Sequence, residues 1–256
     1  MIMDNVMIKV LEKPELENPV LVEGLPGIGL VGKIAADHLK DELKAIKFAE
    51  LASPFLPPQV NIQEDGTIKS VTMDFYYWKG DQDLILLLGD FQGMTPESQY
   101  HLSEQILDFC QDLGVSRIYT LGGLGTGSIT KNPRVFGAAT KKAMVAELES
   151  KGIIFKGGGA IFGASGLLLG LSIERQLDAI CLMGETHGQI IDAKSAEALL
   201  KVLCEILGLN VDMAELVKKA KQTEDQINQM SNIISSQKEA MEKQQEMLDE
   251  NPFYIR

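Results

Sequence analysis

The sequence predicts an α/β fold, a mostly parallel sheet flanked by helices, with a long helix near the C-terminal end. Three observations carry that prediction. Short apolar runs alternate with segments of helical period along residues 1–208. Glycine-rich loops follow the runs at Val20–Glu23, Arg117–Leu121 and Ala179–Met183. Beyond Gly208 the glycines and prolines stop and a heptad pattern begins.

Composition narrows the class. The chain has 256 residues, enough for one large domain or a domain with an appendage. Its formal charge is −12, which argues against a nucleic-acid surface and against an anionic membrane. Cys110, Cys181 and Cys204 lie far apart in apolar contexts, without metal-ligand spacing. They read as small buried hydrophobes of a reducing compartment. The N-terminus shows no secretory signal, and the longest uncharged stretch, Gly157 to Ile173, is short for a bilayer span. A cytoplasmic protein is expected.

In order, Val6–Val10 reads as a short strand. Pro19–Glu23 is a strand that ends in the turn Gly24-Leu25-Pro26-Gly27-Ile28-Gly29, and a helix follows to about Lys44. Ala45–Leu51 is a strand closed by prolines. Gln59–Gln63 and Thr67–Trp78 form a hairpin around Glu64-Asp65-Gly66. Asp83–Leu88 is a strand apolar on both faces. Thr95 caps a helix with Pro96 at its first position and Gly114 as its stop. Arg117–Leu121 is the next inner strand. A helix is expected over Arg134–Ser150, then a short run at Ile153–Lys156 and an apolar helix over Ser165–Leu177. Ala179–Met183 is the last inner strand, and Asp192 opens a helix to Leu207.

Leu216, Ala220, Thr223, Ile227, Met230, Ile234, Gln237, Met241, Gln244 and Leu248 are spaced alternately by four and three. That is a heptad seam, and Leu216, Ile227, Met230, Ile234, Met241 and Leu248 are its apolar members. A helix from Asp212 to Glu250 would be about 55 Å long. It either packs across a neighbouring subunit, stands out as a stalk, or frays as a solvated tail. Three units follow: an α/β body over 1–208, a projecting or coiled-coil-like helix over 209–250, and a tail over 251–256. Pro252 ends the helix, and Phe253, Tyr254, Ile255 and Arg256 close the chain with exposed apolar groups.

The glycine turn admits two nucleotide readings. Gly27-x-Gly29-x-x-Gly32 has the letters of a dinucleotide fingerprint, with Glu50 in range for a ribose. Gly27-x-x-x-x-Gly32-Lys33 is a P-loop up to its last position, where Ile34 stands in place of the Ser or Thr that would hold magnesium. The competing reading is structural: the glycines let the chain turn and the helix lie close to the sheet. His187, two residues from Glu185 at a strand end, is the best candidate base, or else part of a polar loop at a subunit contact. Ser128 and Ser165 lack a nucleophile elbow. No residue set converges on a catalytic centre, a cofactor site or a metal site.

Glu23-Gly-Leu-Pro-Gly-Ile-Gly-Leu-Val-Gly-Lys33, Leu121-Gly-Gly123, Ser165-Gly-Leu-Leu-Leu-Gly170 and Cys181-Leu-Met-Gly-Glu-Thr186 together resemble the proteasome assembly chaperone family, in particular its archaeal homologues. The resemblance covers roughly residues 17–208. It implies a nucleoside-phosphorylase-like sandwich without that enzyme's active site. It implies a non-enzymatic homo- or hetero-oligomer that binds proteasome α subunits, with a paralogous chaperone as a further partner. Some archaeal members look like proteasome activators with a C-terminal hydrophobic–tyrosine–any motif. Phe253-Tyr254-Ile255 fits it, but Arg256 adds one residue and displaces the terminal carboxylate by up to about 3.5 Å. The alternative is a small-molecule enzyme of phosphorylase or nucleotide-using type, with Gly27, Gly29, Gly32, Lys33 and His187 at its site.

Overall fold

The structure, a computed structural model, describes residues 6–155 and 158–222. An eight-stranded sheet carries helices on both faces, and a two-stranded hairpin stands beside it. The strands are β1 (Met7–Val10), β2 (Val20–Gly24), β3 (Ile46–Ala52), β4 (Val60–Ile62), β5 (Ile68–Ser70), β6 (Met73–Trp78), β7 (Leu84–Gly89), β8 (Arg117–Gly125), β9 (Val135–Ala139) and β10 (Asp178–Thr186). The helices are α1 (Val31–Leu43), α2 (Pro96–Asp112), α3 (Lys142–Glu149), α4 (Gly163–Glu174) and α5 (Ala193–Leu207).

The sheet order is β1-β3-β6-β7-β2-β8-β10-β9. The four central strands, β7, β2, β8 and β10, run parallel. Both flanks are antiparallel, β6, β3 and β1 on one side and β9 on the other. The sheet is therefore mixed, with the expected parallel arrangement confined to its centre. Central residues alternate between two cores. Val20, Val22, Leu84, Leu86 and Leu88 face α1 and α5, whereas Leu21, Ile85 and Leu87 face α2 and α4. Burial on both faces explains their continuous apolar runs.

Local signals set several boundaries. Thr95 and Ser98 form a reciprocal capping box at the start of α2, with Pro96 at the first position. Asp192 caps α5 by accepting from the Ser195 amide, and Gly208 ends it in the left-handed conformation. The hairpin expected over 59–78 forms only at its tip, between β4 and β5. The residues after it leave the hairpin and enter the main sheet as β6.

The helix expected over Arg134–Ser150 is corrected. Val135–Ala139 is an edge strand antiparallel to β10, and only Lys142–Glu149 is helical. Its Ala- and Lys-rich composition favours a helix, but the open edge of β10 supplies backbone partners that local propensity does not register. Ile154 bridges onto Phe136 on the outer side of this strand.

After α5 the chain stays on the body. His38 Nε2 donates to the Asp212 carbonyl at 2.7 Å, and residues 214–222 are helical. Leu209, Val211 and Met213 pack against the first core. Leu216, expected on an oligomer seam, is fully buried in this chain's own core, and Ala220 is buried too. Ile227, Met230, Ile234, Met241 and Leu248, with the rest of the segment expected to be a long helix, and the tail Phe253, Tyr254, Ile255 and Arg256, lie outside the described residues. Among the described residues, no helix is long and apolar enough to cross a membrane.

Candidate functional site

The parallel strands end together, and the glycine turn lies over their carboxyl ends. After β2 the chain makes one 3-10 turn at Ile28–Leu30 before α1. Gly29 and Leu30 are both left-handed, at φ 63° and 51°. For Leu30 that conformation is strained and must be held by its surroundings. The Leu30 amide donates to the Gly27 carbonyl at 3.0 Å, and the Asp192 amide donates to the Gly29 carbonyl at 3.0 Å. Gly32 is required by close approach, since a Cβ there would sit 2.1 Å from the Leu121 carbonyl oxygen. The helix thus lies directly on β8.

The space inside this turn holds a protein carboxylate. Glu23, fully buried at the end of β2, accepts from the Leu25 amide at 2.9 Å and from the Ser165 hydroxyl at 2.9 Å. Burial pushes its carboxyl up to about 7, against the opposing pull of the Leu25, Ser165 and Leu121 hydrogen bonds. A P-loop turns its amides toward a phosphate. Here the Leu25 and Leu30 amides are already used within the chain.

Lys33 is likewise engaged. Its Nζ lies 3.0 Å from Asp37 and 3.0 Å from Asp90, and donates to the Gly89 carbonyl at 3.2 Å. Burial works against its charge, but the two carboxylates outweigh that and hold its pKa above the ordinary lysine value. It forms one wall of a polar cleft of about 230 Å³ shared with Lys40, Asp74 and Tyr76. The dinucleotide reading fails on topology. Its acidic residue belongs on the strand next to β2. Glu50 lies on β3, separated from β2 by β6 and β7, and pairs with Lys47.

His187 and Glu185 do not form a catalytic pair. Both Glu185 oxygens are taken by the Arg134 guanidinium, at 2.7 and 2.8 Å, which holds that carboxyl below its usual range. Arg134 also lies over the Phe136 ring. His187 is half-buried, and its Nδ1 has no hydrogen-bond partner among the described residues. Asp192, the other nearby acid, accepts from the Thr186 hydroxyl at 2.7 Å and from the Ser195 amide at 2.9 Å. The three cysteines are buried and free, with thiols pushed by burial to about 12 for Cys110 and Cys181 and about 11 for Cys204.

Two residues that sequence reasoning passed over organise this end of the molecule. Gln92 donates to the Pro26 carbonyl at 2.6 Å and accepts from the Ala164 amide at 2.8 Å, so one side chain ties the loop after β7 to the glycine turn and to α4. Arg134 was hidden in the segment expected to be helical. Neither sits in a recognisable motif.

A model of the PAC2 family matches residues 21–231. The chain belongs to the PAC2 family. Among solved structures, it resembles Pyrococcus furiosus PbaB, an archaeal proteasome activator, at 40% identity and a TM-score of 0.85, over 90% of this chain and 100% of that one. It also resembles Pyrococcus furiosus PbaA, an archaeal homolog of proteasome-assembly chaperone, at 31% identity and a TM-score of 0.76, over 97% and 99% of the two chains. A Methanocaldococcus jannaschii relative, the uncharacterized protein MJ1210, is 41% identical over 223 residues, which is 87% of this chain and 86% of that protein. The resemblance carried by the motifs is thus the family itself. In this PAC2 chain the glycine turn is an interlock.

Proposed function

We propose that this chain is a non-enzymatic proteasome assembly chaperone of the archaeal type, cytoplasmic and acting as an oligomer. Its partners are proteasome α subunits, with a paralogous chaperone as a further partner. The observation that carries this reading is the likeness to PbaB and PbaA over nearly the whole chain. The turn geometry supports the non-enzymatic half, because Glu23 fills the turn and Lys33 is neutralised by two carboxylates.

The body over 1–208 supplies the oligomer, a helix over 209–250 projects or bundles, and Phe253, Tyr254, Ile255 and Arg256 dock on the partner. Several tails on one oligomer raise the effective concentration and offset the displaced carboxylate. Surface-plasmon binding to proteasome α rings, with the full chain and with a chain ending at Asn251, tests this. Binding is expected to weaken on truncation while the oligomer persists. Equal binding by both chains moves the contact to the body, and no binding by either removes the chaperone reading.

A further inference from the structure

An apolar groove of about 870 Å³ lies at one edge of the sheet, between the start of β1 and the β4–β5 hairpin. Met7, Leu56, Val60 and Val71 line it, together with Pro54, Pro57 and Pro58. Val60 pairs with Ser70 and Ile62 with Ile68, so these four share one face of the hairpin, and Val60 and Ser70 border the groove. Asn61 and Lys69, on the other face, border the polar cleft of Lys33. No charged side chain is among the described residues that line the groove.

Two features define what fits. The prolines have no N–H to donate, so an occupant gains little from backbone pairing and is held through its side chains. A charged group would lose its hydration there and find no partner, so the occupant is apolar. The chain itself supplies such a segment at the mouth of the groove. β1 runs antiparallel to β3 with Met7 opposite Ala52, so the residues before Met7 head the same way as the chain from Ser53 onward. Val6 already packs against the core that holds Leu56. Next to it, outside the described residues, come Met1-Ile2-Met3-Asp4-Asn5. Five residues reach at most about 17 Å, enough to cross a groove of that volume. Methionine is unbranched and adapts to irregular apolar space. Phe253, Tyr254 and Ile255 are apolar too, but Arg256 follows them and residues 223–252 separate them from the described body. The shorter tether gives the higher effective concentration. We propose that Met1, Ile2 and Met3 fill this groove and close the face beside β1. This closure goes beyond the function proposed above and does not rest on it.

Disulfide trapping in the full chain tests the contact. Met3→Cys is combined with Val60→Cys or Gln59→Cys, which place the second thiol at the groove. As a control it is combined with Glu149→Cys, at the end of α3 beside β9, the opposite edge of the sheet. Cys110, Cys181 and Cys204 are buried and stay out of the reaction. Mild oxidation is expected to close a disulfide within one chain for at least one groove pair, and at least tenfold less for the control. In a separate variant, Ile2→Asp with Met3→Asp is expected to raise the fluorescence of the apolar-surface dye ANS severalfold and to lower the melting temperature by roughly 5 °C, with circular dichroism preserved. Three results overturn the proposal. One is trapping of neither groove pair above the control. Another is trapping only between chains, which would seat the segment of a second copy in the groove. The third is dye fluorescence of the double variant at the wild-type level, whether high, as for an open groove, or low, as for a groove covered by Phe253–Arg256.

Discussion

Ser165, in the first turn of α4, donates its hydroxyl hydrogen to the Glu23 carboxyl at 2.9 Å across 142 positions of sequence. The bond joins the end of the central strand, where Glu23 is fully buried, to the half-buried start of a helix on the opposite side of the glycine turn.

Glu23 should make stability fall as pH rises. Its folded pKa, about 7, lies above the ordinary 4.5, so the folded state holds a proton that the unfolded chain has released. The contribution is fully present below about pH 4.5 and is lost as pH rises through about 7. A rise from 4.5 to about 7 corresponds to ~3 kcal/mol. Glu23→Gln, which cannot ionise, should be relatively more stable than wild type at pH 8 than at pH 5 by that order. Urea denaturation at the two pH values checks it. Parallel pH profiles for the two proteins would rule the idea out.

The glycines of the motif should differ in tolerance. Gly32→Ala places a Cβ 2.1 Å from the Leu121 carbonyl and should cost about 3 kcal/mol through forced movement of α1. Gly27 has an extended backbone, and a methyl added there would meet nothing within 4 Å among the described residues, so Gly27→Ala should stay within about 0.5 kcal/mol. A nucleotide-binding role would make both glycines matter. Thermal denaturation of the two variants separates the cases.

Isothermal calorimetry with ATP, NAD and a nucleoside should give no saturable heat. Lys33 is committed to Asp37 and Asp90, and a phosphate brought to it would meet both carboxylates. Saturable heat that disappears in Lys33→Ala would reinstate the enzyme alternative.

Leu216→Ala should destabilise the body itself by about 3 kcal/mol, because that side chain is fully buried in the core formed with α1 and α5. The loss should be the same at low and high protein concentration. A loss that shrinks as concentration rises would place Leu216 in an intersubunit seam instead.

By itself, the sequence determined the alternation of elements, the capped starts of α2 and α5, the inner strands, the buried cysteines and, through its motifs, the family. These are readable because hydrophobic period and cap chemistry are local. Only the tertiary structure decided the antiparallel flanks, the strand status of Val135–Ala139, the inward fate of Leu216, and the closure of the glycine turn by Glu23, Gln92 and Lys33. Each depends on partners distant in the chain. Val135–Ala139 extends because β10 offers an open edge, and Glu23 is sealed because Ser165 arrives from α4. The letters of a phosphate-binding loop are local, but whether its amides remain open is a matter of what the rest of the chain packs against it.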